Sequence, residues 1–171
     1  MLFYHNEDLI PIGYKDSYFQ SDLNFRKSTS GYVFTLGGGA KSWRSVKQSC
    51  IVDSIMEAEY VATCEAIKEA VWHKIFLFDL GVVRIEQVPI TLFWDNSGAI
   101  AQSKDPRNRK KGKHIERKYH IIRDIIARRD VVVAKTGSAN NLTDPFTKAL
   151  PQRTFESYLE RMGVRLMRNS L

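Results

Sequence analysis

Residues 12–22 read IGYKDSYFQSD, and the first half of that stretch has the period of a β-strand. Ile12 and Tyr14 alternate with Gly13 and Lys15, the pattern of a strand with one face in a core. The next residue due on the face of Ile12 and Tyr14 is Asp16, a charge where an apolar side chain belongs. An unpaired carboxylate at such a place is strongly unfavourable. Either the strand stops at Lys15, or Asp16 has a partner.

Working outward, residues 21–29 (SDLNFRKST) are polar turn material, and residues 31–36 (GYVFTL) form a second strand by their aromatic and β-branched content. Gly37, Gly38 and Gly39 then make a hairpin turn into a third strand-like segment, AKSWRSVKQ at 40–48. The period changes at Ser54, which forms a capping box with Glu57; from there apolar residues recur at helical spacing to Leu80, and Gly81 stops the run. ITLFW at 90–94 reads as a fourth strand, 97–103 as a short helix, His114 to about Asp130 as a second long helix and 131–136 as a fifth strand. Residues 140–150 and 153–162 are both expected to be helical, divided by Pro151. This order indicates an α/β chain with a mixed sheet flanked by helices.

With 171 residues, 43% of them hydrophobic and 11% aromatic, the chain is expected to be one domain with a full core. The core runs from about residue 10 to 150, with 151–171 a C-terminal helical extension. Cys50 and Cys64 have neither metal-site spacing nor a disulfide framework, so both are read as reduced thiols. No stretch approaches a membrane span and the N-terminus lacks the lysines of a secretory signal, so the expectation is an intracellular monomer, cytoplasmic or nuclear, with no membrane partner.

The net charge of +7 is concentrated in one place. Residues 104–118, KDPRNRKKGKHIERK, hold Lys104, Arg107, Arg109, Lys110, Lys111, Lys113, Arg117 and Lys118 against Asp105 and Glu116, a local +6. A run of this kind is either a solvated face or a grip on a polyanion, and its concentration favours a nucleic-acid backbone.

Asp95 repeats the anomaly of Asp16, since the apolar strand ITLFW delivers a carboxylate at its C-terminal end, where ligands bind in open α/β sheets. Two such strands side by side bring the two acids together, and close carboxylates need a cation between them. Glu59 lies on the helical row of Ala62, Ala66 and Ala70, a small-residue stripe suited to lying on a sheet. Asp144, before Pro145, either caps a helix or joins these three acids as a ligand. Four oxygen donors without Cys or His suit Mg²⁺ or Mn²⁺.

Over nearly its whole length the chain resembles the ribonuclease H domain of copia-type retrotransposon polyproteins. The likeness is carried by RKSTSGYVFTLGGG (26–39), SWRSVKQ (42–48), MEAEYVA (56–62), WDNSGAIA (94–101), KHIERKYHIIRD (113–124) and DPFTKAL (144–150), in the family's order. The resemblance implies a ribonuclease H-like fold with a mixed five-stranded sheet, and an endonuclease that cuts the RNA strand of RNA–DNA hybrids with two Mg²⁺ or Mn²⁺ ions. It also implies a reverse transcriptase domain as neighbour in a parent polyprotein. The family's catalytic acids fall on Asp16, Glu59, Asp95 and Asp144. The alternative is a weak or inactive relic that binds nucleic acid without cutting it. Two departures bear on that choice: Tyr18 stands where the family has a second acid, and Lys15 where it has a small polar residue. By strand alternation Lys15 points away from the Asp16 face and spares the site, whereas Tyr18 shares that face and crowds it.

Overall fold

A computed structural model of the chain describes residues 9–22, 24–81, 89–94 and 113–164, with side chains from residue 120 onward in the last segment. The elements are β1 (Ile12–Asp22), β2 (Lys27–Leu36), β3 (Gly39–Lys47), α1 (Ile55–Asp79), β4 (Ile90–Trp94), α2 (Lys113–Ala127), β5 (Val131–Lys135), a 3₁₀ turn (Ser138–Asn140), α3 (Asp144–Thr147) and α4 (Gln152–Arg161). The five strands form one sheet in the order β3-β2-β1-β4-β5. β1, β2 and β3 are an antiparallel meander, while β4 pairs in parallel with both β1 and β5. The expected mixed sheet with flanking helices is what the chain forms.

Pairing assigns the two faces of the sheet. Lys15 lies opposite Tyr32 and Tyr14 opposite Val33, and directly opposed residues share a face. Tyr32 and Phe34 belong to the large core with Tyr60, Ile67, Leu92, Trp94 and Ile122, under α1 and α2. Val33 belongs to a second cluster with Leu142, Tyr158 and Met162, against which Tyr14 and Phe146 pack. Lys15 therefore faces α1, and Asp16 faces α3 and α4.

Local chemistry explains the element ends. Ser54 accepts the Glu57 amide at 3.2 Å, and the Glu57 carboxylate reaches back to the Asp53 amide at 3.0 Å, one residue beyond the usual box. Gly81, at φ +69°, takes the left-handed conformation that follows α1.

Of the two alternatives posed for β1, the strand does not stop at Lys15: it continues to Asp22, with a register irregularity after Tyr18 and Gln20 at φ +47°. Two expectations are corrected. Within the polar stretch 21–29 the turn occupies 24–26, while 21–22 and 27–29 belong to the strands, because small hydroxyls can be buried when bonded: Ser28 Oγ accepts the Gln20 amide at 3.1 Å. Residues 140–150 do not form one helix, since Asn141 uses its side chain on the backbone. Its Nδ2 donates to the Lys15 carbonyl at 3.0 Å and its Oδ1 accepts from Thr143 Oγ1 at 2.6 Å, which competes with helix and leaves only the short α3. The expected helix at 97–103 lies outside the described residues.

Candidate active site

β1 and β4 are parallel neighbours, paired through Tyr14 and Phe93. The side-by-side arrangement expected for the two strands that lead to Asp16 and Asp95 is present. Trp94 is the last described residue of β4, and Asp95 lies outside the described residues.

Asp16 sits in mid-strand and is nearly buried, and its partners come from the segment after β5. Thr147 Oγ1 donates to Asp16 Oδ2 at 2.7 Å, and the Lys148 ammonium stands 3.3 Å from the same oxygen. Lys148 also holds Asp144 Oδ1 at 2.9 Å, while the Tyr158 hydroxyl donates to Asp144 Oδ2 at 3.0 Å. One ammonium thus ties two acids that are 128 positions apart in the chain. Burial works against the charge of Lys148, but the hydrogen bond to Asp144 and the fields of Asp16 and Asp144 outweigh it and raise its pKa above the ordinary lysine value. Burial, then the bond to Asp144, pushes the Tyr158 hydroxyl up as well, so it stays a donor at neutral pH.

This closeness depends on Gly31, which lies opposite Asp16 on β2. A Cβ there would meet Thr147 Cγ2 at 2.7 Å and Phe146 Cβ at 3.0 Å. Without a side chain at 31, α3 settles on the sheet and Thr147 reaches the aspartate. Ser45 Oγ fastens α3 to β3 by donating to the Phe146 carbonyl at 2.6 Å.

Glu59 is engaged differently. Its Oε1 accepts Ser17 Oγ at 2.6 Å and the Ser17 amide at 3.2 Å, and its Oε2 forms an ion pair with Lys15. That pair is closed off from water, with Lys15 at 0% and Glu59 at 4% side-chain exposure. The same ammonium lies 3.4 Å from the Glu59 carbonyl and 4.8 Å above the Trp94 ring. Strand alternation does turn Lys15 away from Asp16, but that direction leads it to Glu59. The lysine thus meets a candidate acid, while Tyr18 is 47% exposed.

Of the four acids, then, Asp16 and Asp144 share a cation, Glu59 has its own, and Asp95 is outside the described residues. Among the described residues no three His, Cys, Asp or Glu side chains gather into a set able to hold a metal. Of the basic segment, Lys104, Arg107, Arg109, Lys110 and Lys111 lie outside the described residues, and Lys113, Arg117 and Lys118 fall in the first two turns of α2. Sequence reasoning missed Thr147, Lys148 and Tyr158. The i, i+4 spacing of Asp144 and Lys148 was the available signal. Among the described residues no helix is long and apolar enough to cross a membrane.

No family model matches the chain. It is 38% identical over 163 residues to the retrovirus-related Pol polyprotein from transposon TNT 1-94 of Nicotiana tabacum, covering 95% of this chain and 12% of that protein. It is 32% identical over 151 residues to the corresponding polyprotein from transposon RE1 of Arabidopsis thaliana, covering 88% of this chain and 10% of that one. The chain thus spans about a tenth of the length of these relatives. Among solved structures, the LC11-RNase H1 complex with an RNA/DNA hybrid superposes with a TM-score of 0.56 at 17% identity, over 80% of this chain and 92% of that chain. At that identity the superposition establishes the fold and the sequence relatives establish the lineage: the chain belongs with the Pol polyproteins of copia-type retrotransposons, corresponds to one segment of them, and has the ribonuclease H-like fold.

Proposed function

We propose that the chain is a metal-dependent endonuclease that cuts the RNA strand of RNA–DNA hybrids, as a part of retrotransposon replication alongside a reverse transcriptase domain. The observation that carries this reading is that Asp16, on the central strand of a ribonuclease H-like sheet, and Asp144, at the start of α3, close on one shared, half-exposed ammonium. An exchangeable cation between two carboxylates is the arrangement a hard divalent ion needs, and Asp95, next after β4, is assigned as a further ligand. Mg²⁺ or Mn²⁺ held there would supply the charge that favours an attacking water and the leaving 3′ oxygen.

The protein's own groups hold this arrangement. Thr147 fixes the Asp16 carboxylate and Tyr158 fixes Asp144, so both acids keep their orientation when Lys148 is displaced. The basic segment 104–118 is assigned to the phosphates of the hybrid. Glu59 does not fit the ligand set in this arrangement, since its cation is the fully buried Lys15 and not a half-exposed one like Lys148. That observation favours a second reading, a domain that binds hybrid and cuts it slowly or not at all.

The test is cleavage of a hybrid labelled on its RNA strand, in Mg²⁺ and in Mn²⁺, by the parent and by Asp16→Asn. The expected result is metal-dependent cleavage by the parent and a loss of more than about 100-fold in the variant, beyond what an indirect partner of a metal usually contributes, with hybrid affinity retained. Binding without cleavage by the parent would establish the second reading. Equal cleavage by both proteins would remove Asp16 from the site.

A further inference from the structure

We infer that Lys15 is a built-in cation: its ammonium holds the charge of Glu59 in the position a second divalent ion would otherwise take, so that the chain binds one such ion and not two. The inference rests on the metal-dependent reading above and limits it.

Four observations converge on this point. Lys15 Nζ is bonded to Glu59 Oε2, and the other oxygen of Glu59 accepts the amide and hydroxyl of Ser17, so an incoming ion must compete with protein donors on both oxygens. The ammonium is enclosed by the Glu59 carbonyl at 3.4 Å and the Trp94 ring at 4.8 Å, and no part of its side chain reaches water. Lys15 is also locked along its backbone, because its carbonyl accepts Asn141 Nδ2 at 3.0 Å and its residue pairs with Tyr32 on β2. Lys148 is the contrast: it is 40% exposed and can swing into water when an ion arrives, whereas Lys15 has no free route out. A divalent ion has about the same need for carboxylate charge at either place, but at Glu59 it must leave a buried ammonium without a partner, a strongly unfavourable exchange.

The consequence is a division of the acid set. Asp16 and Asp144 remain available to a divalent ion, and Glu59 serves as the counter-charge of a lysine. Any contribution of Glu59 to the reaction is made through that pair, as a positioning residue that holds β1 against α1.

The measurement is the number of Mn²⁺ ions bound per chain, by titration calorimetry and by the loss of the free-ion electron paramagnetic resonance signal, without nucleic acid. The parent is expected to bind one. Lys15→Ser frees Glu59 and is expected to bind two, the second with an affinity absent from the parent. Since this variant leaves a buried carboxylate without its partner and can fail to fold, the double variant Lys15→Met, Glu59→Gln is measured beside it. That protein loses both charges together and is expected to bind one Mn²⁺ with the parent's affinity, within about twofold. Two ions on the parent would overturn the inference while leaving the metal-dependent reading intact, as would a tenfold loss of affinity in the double variant, which would make Glu59 a ligand. No binding by any of the three proteins would overturn the metal-dependent reading and this inference together.

Discussion

Lys15 and Lys148 both place an ammonium on a candidate acid, yet they stand on opposite faces of the sheet and in opposite circumstances. On the α1 face, the Lys15–Glu59 pair is sealed beneath Trp94 and is joined to the backbone of two elements. On the α3 face, Lys148 bridges Asp16 and Asp144 at the rim of the protein, with 40% of its side chain in water. The chemistry is the same and the solvent differs. A buried pair cannot lose one member without stranding the other, whereas a rim pair can exchange its cation for another. Of the ammonium groups on the two faces of β1, one is therefore sealed in, and the other keeps contact with water.

The comparison is broken most directly at Lys15. Lys15→Ala is expected to destabilise the protein by about 3–5 kcal/mol, because it leaves Glu59 charged and buried, and denaturant unfolding at neutral pH measures the loss. Lys15→Met with Glu59→Gln is expected to return most of that stability. A single variant as stable as the parent would mean that the α1 face is open to water after all.

The closed face holds a second group that reports on its dryness. His73 is buried between Ser42 and Lys41, and burial followed by the Lys41 charge lowers its pKa to about 4. An ammonium can only donate, so Lys41 at 3.3 Å makes Nδ1 the acceptor, and Nε2–H then faces Ser42 Oγ at 2.9 Å. The unfolded chain takes up this proton near pH 6.5 and the folded protein only near pH 4. Stability is thus complete above pH 6.5 and falls as the pH drops through that window, by about 3 kcal/mol in all. Urea unfolding of the parent and of His73→Gln at pH 7.5 and pH 4.5 tests this; the parent is expected to lose most of that amount more than the variant. Equal losses would mean that the imidazole is already protonated, or wet, in the folded state.

The smallest effect belongs to the open face. Lys148→Met is expected to cost about 1 kcal/mol, less than Lys15→Ala because Lys148 is 40% exposed although Asp16 is not. Mn²⁺ is then expected to bind about fivefold more tightly, since a competing cation has been removed, the equivalent of about 1 kcal/mol. Weaker binding in the variant would make Lys148 a helper of the ion and not its placeholder.

Much of the fold was legible in residue patterns. The β-rich run of β4, the glycine turn at 37–39, the capping residues of α1 and its glycine stop all act over a few positions, and each element formed where its local chemistry predicted. That the strands leading to Asp16 and Asp95 lie side by side followed from their matching carboxylate ends; that they pair in parallel is shown by the structure. Local patterns failed where polar side chains took over the work of the backbone. Ser21, Ser28 and Thr29 lie on the strands of a stretch that composition assigned to a turn, bonded through their hydroxyls, and Asn141 breaks a helix that spacing allowed.

The sequence by itself determined that Lys15 and Asp16 lie on opposite faces of a strand, because side chains alternate along any extended backbone. Only the tertiary structure decided which face has which neighbours. Glu59 is 44 positions from Lys15 and Thr147 is 131 from Asp16, and these meetings arise from the packing of α1 on one side of the sheet and of α3 on the other. Burial, which makes one ammonium permanent and leaves the other exchangeable, is a property of that packing: the energy of a charge depends on how much water its neighbours leave around it, and no residue carries that information alone.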